Sequence, residues 1–148
     1  LILSVYISSV TPGYTLTFTL PKSGNYLGNM QSITLKAKDT LANIARRYDI
    51  GLLELMLANH HLAQGHLISG TTVNIPTEFV LPDSPREGIV VNLSKLRVFY
   101  FHPDGISVST YPVGVGKQGW ATPTGATTII SKEKNPTWHP TQAIREEA

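Results

Sequence analysis

The segment Tyr111-Pro-Val-Gly-Val-Gly-Lys-Gln-Gly-Trp-Ala-Thr-Pro-Thr-Gly125 carries most of the structural information in this chain. Gly114, Gly116 and Gly119 fit the pattern G-x-G-x-x-G, in which backbone amides at a helix N-terminus bind a pyrophosphate. That interpretation requires a helix directly after the glycines. The Thr-Pro-Thr-Gly sequence that follows instead opposes an α-helix. The pattern therefore does not indicate a nicotinamide-binding site, and we expect no cofactor.

The residues around these glycines favour β-structure. Apolar residues alternate at Ile106 and Val108, and the alternation shifts phase near Pro112, which is typical of a bulge or an edge strand. Gly114 and Gly116 then share one face of a strand, where the absence of side chains lets a ligand or another backbone lie close. Further strands are predicted at residues 89–93, 96–101 and 126–131, with a tight hairpin at the Asp-Gly pair 104–105.

The composition is that of an ordinary globular protein, with 148 residues, 41% hydrophobic and 15% charged. The formal charge of +2 comes entirely from residues 86–148, which hold seven basic and five acidic residues, whereas residues 1–85 hold five of each. Basic runs are absent, so a nucleic-acid partner is not expected. The chain contains no cysteine, which excludes disulfides, thiolate metal sites and a cysteine nucleophile within it.

The two ends of the chain lead us to expect a fragment. The chain starts without Met and stops at Ala148 inside a helix predicted to begin at Pro140. Residues 1–10 are apolar and match either the end of a signal peptide or a first β-strand, and both alternatives stay open. These residues are too few to span a bilayer, and no other segment is apolar enough to do so.

Residues 32–77 have the order strand, helix, helix, strand. Strands are predicted at residues 32–36 and 72–75, and a further one at residues 14–20 precedes a polar connection over 21–29. Asp39 or Thr40 can cap the first helix, whose apolar face is formed by Leu41, Ile44, Ala45 and Tyr48. The second helix covers residues 52–58, with Leu52, Leu55 and Met56 on one side.

This part resembles the lysin motif (LysM), a small βααβ module that binds the N-acetylglucosamine backbone of peptidoglycan or chitin. The matching segments are Ile33-Thr-Leu-Lys36, Asp39-Thr-Leu41, Ile44-Ala-Arg-Arg-Tyr48, Glu54-Leu-Met-Leu-Ala-Asn59, and Gly70 with Val73-Asn-Ile-Pro76. The resemblance implies that glycan binds between the loop before the first helix and the loop after the second, at Asp39, Thr40, Leu41, Asn59 and His60. A structural role is the alternative for each, since Asp39 caps a helix whether or not sugar binds.

Three histidines, His60, His61 and His66, lie in the loop after the second helix. Imidazole is a common metal ligand, but adjacent histidines usually point apart and no carboxylate is close to them in sequence. We therefore expect no metal site.

The second half of the chain resembles the N-terminal half of an L,D-transpeptidase catalytic domain. The matching segments are Arg86-Glu-Gly-Ile-Val-Val-Asn-Leu93, Leu96-Arg-Val-Phe-Tyr100, Tyr111-Pro-Val-Gly-Val-Gly116, Trp120-Ala-Thr-Pro-Thr-Gly125 and Asn135-Pro-Thr-Trp138. The order, behind a LysM-like module, is similar to that of periplasmic enzymes of Gram-negative bacteria. The resemblance implies acyl transfer through a cysteine thiolate, with peptidoglycan stem peptides or an outer-membrane lipoprotein as acceptors.

The catalytic segment of that family, a histidine and then Ser or Thr followed by His-Gly-Cys, does not occur in this sequence. We therefore expect no catalytic residue here. His102 and His139 have no serine motif or carboxylate at a recognisable spacing, and a role as loop surface is the simplest interpretation.

The resemblance implies that part of the stem-peptide cleft is present. The residues expected near the peptide are Tyr111, Gly114, Gly116, Thr122, Thr124, Gly125 and Trp138. The alternative is that residues 122–125 form only a turn and that Trp138 only packs. Four separated basic residues could attract the anionic stem or simply keep the chain soluble: Arg97, Lys117, Lys132 and Lys134.

The predicted fold class is α+β, with a small LysM-like module followed by a mainly β domain that is incomplete. The predicted segments are a signal-peptide remnant (1–12), a strand and connection (13–31), the LysM-like module (32–77), a linker (78–85) and half of the catalytic domain (86–148). The predicted function is that of a periplasmic peptidoglycan L,D-transpeptidase in cell-wall biogenesis and cell shape, inactive as this fragment. The alternative is a non-catalytic wall-binding protein. A stable membrane span is not expected.

Overall fold

The computed structural model describes residues 16–62, 67–116, 121–137 and 139–147. These residues divide into two units, with the boundary after Gly116. The predicted α+β class is confirmed, because the described residues contain three α-helices, one short 3-10 helix and eight strands. The interpretations of residues 1–10 lie outside the described residues.

The largest sheet in the first unit has four antiparallel strands in the order β1-β8-β7-β6. Its strands are β1 (Leu16–Thr19), β6 (Gly88–Asn92), β7 (Arg97–Phe101) and β8 (Ser107–Pro112). The hairpin between β7 and β8 turns at Gly105, where φ is +69°, a conformation that glycine adopts without strain. The hairpin predicted at Asp104 and Gly105 is confirmed.

The LysM-like residues form the predicted order of elements. Strand β3 (Gln31–Thr34) pairs antiparallel with β4 (Thr72–Ile75), and the two helices between them are α1 (Leu41–Arg47) and α2 (Leu52–Ala58). Thr40 is the N-cap of α1, and its hydroxyl oxygen accepts a hydrogen bond from the Asn43 N–H at 3.1 Å. The spacing of apolar residues in α1 also predicted its buried face. Ile44 and Ala45, two of the residues expected on that face, are buried.

One additional strand pair joins the residues on either side of this module. Strand β2 (Tyr26–Gly28) pairs antiparallel with β5 (Glu78–Val80), and Leu27 and Phe79 lie opposite each other, both buried. The sequence predicted a polar connection over residues 21–29 and a linker over 78–85, so both strands were missed. Each has only three residues, which is too short for the alternation of polar and apolar residues to identify.

A continuous hydrophobic core connects the module to the large sheet. Buried residues of the helices and of β4 pack in the same cluster as residues of β7 and β8: Ile44, Leu55, Val73, Ile75, Phe99, Phe101 and Val108. Phe18 of β1 contacts Phe79 of β5 edge to face, with ring centroids 5.9 Å apart. The LysM-like residues thus share one core with the β-sheet.

Two strand predictions are wrong, and a third, a bulge or an edge at Pro112, is answered in part. Strand β8 lies between β1 and β7, pairing with β1 as far as Thr110 and with β7 as far as Pro112, so the strand as a whole is not an edge. The strand ends at Pro112, which means that Gly114 and Gly116 do not lie on it. Residues 126–131 are exposed and form no strand among the described residues, because a strand exists only where another strand pairs with it.

The second unit contains helix α3 (Gln142–Glu147). A helix in this region was predicted, although it begins two residues after Pro140. Residues 121–137 have no helix or strand. The described residues after the glycines therefore contain no helix of the kind that a dinucleotide site requires.

Gly28 provides a test of how tightly the chain packs where it enters the module. Its φ is +68°, and an added Cβ would lie 2.2 Å from the Thr77 carbonyl oxygen. Gly28→Ala should lower the free energy of unfolding by about 3 kcal/mol, because both the backbone and the packing oppose a side chain. Urea denaturation followed by circular dichroism measures this.

Gly24 is the matched control, since its φ is +79° but an added Cβ meets nothing within 4 Å. Gly24→Ala should cost only about 1 kcal/mol, from backbone strain alone. Equal losses for the two variants would show that the close approach to Thr77 does not matter.

Candidate functional site

The loop before α1 is organised by the carboxylate of Asp39. Its Oδ2 accepts a hydrogen bond from the Lys36 N–H at 2.9 Å, and its Oδ1 accepts one from Arg47 Nη2 at 2.8 Å. The backbone N–H of Lys36 and, second, the Arg47 side chain lower the pKa of Asp39 below its ordinary value. Both carboxylate oxygens therefore already have partners, one in the loop and one at the end of α1.

Asn59 has a structural role at the end of α2. Its side chain is fully buried, and its amide donates to the carbonyls of Leu55, at 2.9 Å, and Asn74, at 2.7 Å. Its Oδ1 accepts from the Asn74 N–H at 2.8 Å. Asn59 thus ties the last turn of α2 to β4, and the buried amide does not face solvent.

The five residues expected to bind glycan fall into two groups. Asp39, Thr40 and Leu41 are consecutive at the start of α1, whereas Asn59 and His60 follow α2. His60 is exposed and Leu41 is half-buried against the core. Among the five, Thr40 and His60 have exposed polar side chains. Glycan binding at these positions stays a prediction.

The structure describes two of the three histidines after α2, His60 and His61. The rings of His60 and His61 are edge to face, with centroids 6.2 Å apart. No cluster of three potential ligands occurs in the part of the chain that the structure describes, and His66 lies outside that part.

Arg97 is the most extensively bonded side chain at the contact between the helices and the sheet. It is 2% exposed. Its Nη1 donates to Glu54 Oε2 on α2 at 2.9 Å, its Nη2 to the Asp49 carbonyl at 3.2 Å, and its Nε to Thr110 Oγ1 on β8 at 3.0 Å. The guanidinium also lies 4.0 Å from the ring centroid of Phe79.

This arrangement corrects the two roles considered for Arg97 from the sequence. A side chain that is almost fully buried neither attracts the stem peptide nor keeps the surface soluble. Burial lowers the pKa of Arg97, and the Glu54 carboxylate opposes that change. One feature of the sequence could have indicated this role, because Arg97 is a charged residue in an otherwise apolar strand. The sequence could not identify its partner, because Glu54 lies 43 residues away.

A second polar connection that the sequence did not indicate joins β1, β8 and the end of β7. His102 Nε2 is 2.7 Å from Ser109 Oγ, which in turn is 2.8 Å from Thr17 Oγ1. Ser109 is 1% exposed. His102 therefore bonds within the sheet, which corrects its interpretation as loop surface.

The residues expected near a stem peptide lie in both units. Tyr111 is half-buried on β8, and Gly114 and Gly116 are exposed beyond its end. Thr122, Thr124 and Gly125 belong to the second unit, and Trp138 lies outside the described residues. Tyr111, Gly114 and Gly116 lie close together in the first unit, and a substrate role for all seven stays a prediction.

An open cleft of about 580 Å³ lies beside Gly114, which forms part of its lining. We call it the junction cleft, because the turn between α1 and α2 forms one wall and the residues ending β8 form the other. Its lining includes Arg46, Asp49 and Gly51 on the first wall, and Pro112 and Gly114 on the second. A Cβ placed on Gly51 would be 3.8 Å from Pro112 Cβ, so the two walls come close to each other at Gly51.

Two family models match this chain. Residues 33–76 match the LysM domain, and residues 86–148 match the L,D-transpeptidase catalytic domain called YkuD. The probable L,D-transpeptidase YcfS of Escherichia coli is 38% identical over 143 residues, which are 94% of this chain and 45% of that protein. The probable L,D-transpeptidases ErfK/SrfK and YbiS of the same organism are each 36% identical, covering 89% of this chain and 44% of each protein.

The fold and the matches define a protein in which a LysM domain precedes an L,D-transpeptidase catalytic domain. The chain thus carries matches to a LysM domain and to the L,D-transpeptidase catalytic domain, and it is similar over most of its length to proteins named probable L,D-transpeptidases. It spans somewhat less than half the length of the curated relatives named above. Among the helices that the structure describes, none has the length and apolar character needed to cross a membrane.

Arg97 allows a direct test of the coupling between the helices and the sheet. Arg97→Met should lower the free energy of unfolding by about 3 kcal/mol, because it leaves Glu54 and Thr110 without their partner. Arg97→Lys should lose much of the same stability, since an ammonium cannot bond to three separate elements. Urea denaturation measures both.

Lys95→Met is the control, at an exposed site two residues away. It should change the free energy of unfolding by less than about 0.5 kcal/mol. An equally small effect of Arg97→Met would refute the coupling.

Asp39 should make stability depend on acid pH. Its pKa is lowered in the folded state, so its contribution is present above the ordinary pKa of 3.8 and is lost as the pH falls through the folded value. The stability difference between the wild-type chain and Asp39→Asn should therefore shrink steadily below pH 3.8. Burial raises the pKa of Asp49. The stability difference between the wild-type chain and Asp49→Asn should therefore change with pH in the opposite direction. A pH-independent difference for Asp39→Asn would contradict the assignment.

Proposed function

We propose that this chain is part of a peptidoglycan L,D-transpeptidase that acts outside the cytoplasm, in the periplasm. The observation that carries the proposal is the order of two domains, a LysM domain at residues 33–76 followed by the catalytic domain at residues 86–148. Relatives aligned over most of this chain are named as probable L,D-transpeptidases. Peptidoglycan is a substrate that both domains would contact.

The proposed reaction is acyl transfer through a cysteine thiolate. The thiolate attacks the amide between diaminopimelate and the terminal D-alanine, D-alanine leaves with a proton, and an enzyme thioester remains. An amine on a second stem peptide, or on a lipoprotein, then attacks the thioester and releases the thiol. Such a step requires a base that activates the nucleophile and donors that stabilise the oxyanion.

This chain contains no cysteine, so we place the nucleophile elsewhere in the full-length protein. The contribution of the chain itself is then binding and support. The LysM loops bind glycan, and the sheet β1-β8-β7-β6 ends at Pro112 beside the junction cleft, where Gly114 forms part of the second wall. We propose that the chain alone binds peptidoglycan without catalysing transfer.

A sedimentation assay tests the binding part of this proposal. The chain should pellet with insoluble peptidoglycan, and His60→Ala should weaken pelleting, because His60 is exposed at the predicted glycan loop. His61→Ala is the matched control, since His61 is the adjacent exposed histidine and is not among the predicted glycan residues. Failure of the wild-type chain to pellet would refute glycan binding.

A second assay tests the reaction. Mass spectrometry should detect release of D-alanine from tetrapeptide stems by the full-length protein and none by this chain. A full-length protein that pellets with peptidoglycan yet releases no D-alanine would instead establish a non-catalytic wall-binding protein. Release of D-alanine by the present chain would show that the nucleophile is not a cysteine.

A further inference from the structure

The junction cleft combines residues of the LysM domain with the end of β8. Ala42 and Arg46 come from α1, and Pro112 and Val113 come from the catalytic region. Most of the lining is small or apolar, which leaves two charged side chains to define the electrostatic character of the cleft, Arg46 and Asp49. The chemistry of a ligand therefore depends on which of these two charges is accessible.

Arg46 is the accessible charge. Its side chain is exposed, and its Nη1 donates to the neutral amide oxygen of Asn43 at 3.1 Å. Within the described residues, ion pairs join Arg47 to Asp39 and Arg97 to Glu54, but Arg46 has no carboxylate partner. The remaining N–H groups of the guanidinium can therefore donate to a ligand in the cleft.

Asp49 does not present an equivalent negative charge. Its Oδ2 is buried and has no hydrogen-bond partner in the described residues. The Arg97 guanidinium donates to the Asp49 carbonyl at 3.2 Å and offsets part of the carboxylate charge. The accessible surface of the cleft is consequently more positive than a count of one cation and one anion suggests.

We propose that the junction cleft binds the stem peptide of peptidoglycan and that Arg46, a residue of the LysM domain, pairs with a stem carboxylate. The inference rests on the proposed function and specifies the substrate part that this site recognises. A guanidinium fork matches a carboxylate in geometry and charge. The stem carries such carboxylates, whereas an N-acetylglucosamine chain carries none.

The second wall of the cleft has room for an extended peptide. Gly114 is exposed, and a Cβ built on it would meet no atom within 4 Å. The N–H of Val113 donates to the Leu96 carbonyl at 2.9 Å, which holds this wall against the neighbouring strand region. A peptide lying along Gly114 would reach the first wall at Arg46. The LysM domain would then contribute to peptide recognition as well as to glycan recognition.

Isothermal titration of the chain with a soluble tetrapeptide stem, ending in diaminopimelate and D-alanine, tests the proposal. Arg46→Gln should weaken binding by about fivefold, the scale of one solvent-accessible charge pair. Wild-type affinity should also fall as salt is added, and this salt dependence should be smaller in Arg46→Gln. Lys22→Gln removes one exposed positive charge outside the cleft, and it should leave stem affinity unchanged.

A parallel titration with an N-acetylglucosamine oligomer separates this site from glycan binding. All three proteins should bind the oligomer equally. The proposal is overturned if Arg46→Gln keeps wild-type stem affinity, if Lys22→Gln loses as much, or if Arg46→Gln loses glycan binding instead. A chain that pellets with peptidoglycan but does not bind the free stem also overturns it. A chain that neither pellets nor binds either probe refutes the proposed function itself.

Discussion

The buried guanidinium of Arg97 is the interaction on which the arrangement of the first unit depends. A buried cation is strongly unfavourable unless each of its donors has a partner. Those partners come from separate elements, namely Glu54 on α2, the Asp49 carbonyl in the α1–α2 turn and Thr110 on β8. Moving the LysM helices away from the sheet would leave the charge unpaired. The electrostatic requirement of one side chain therefore fixes two domains against each other.

Strand pairing imposes the same constraint through the backbone. Strands β1 and β2 precede the LysM residues, and each pairs with a strand that follows them, β8 and β5 respectively. The chain thus enters and leaves the LysM module through paired strands, and the buried residues of both parts form one core. The residues predicted to bind glycan and the junction cleft consequently belong to the same unit.

Backbone strain is found where the LysM helices meet the large sheet, around Arg97. Asp49 and Leu96 have positive φ, +50° and +52°, although neither is glycine. Asp49 supplies the carbonyl that Arg97 binds, and Leu96 immediately precedes Arg97 on the chain. Such conformations cost about 1–3 kcal/mol and persist only where surrounding contacts hold them. The bonds of Arg97 and the shared core provide those contacts.

The sequence by itself determined the features that depend on neighbouring residues. Apolar periodicity and capping residues predicted α1, α2, β3 and β4, and the Asp104-Gly105 pair predicted the hairpin. The order of the sequence motifs identified both domains. Only the tertiary structure decided the burial of Arg97, the pairing of β2 with β5 and the absence of a strand at residues 126–131. It also showed that Asn59 is a buried structural amide. The physical reason is that caps and helix faces arise within a few residues, whereas strand partners and ion pairs come from distant ones.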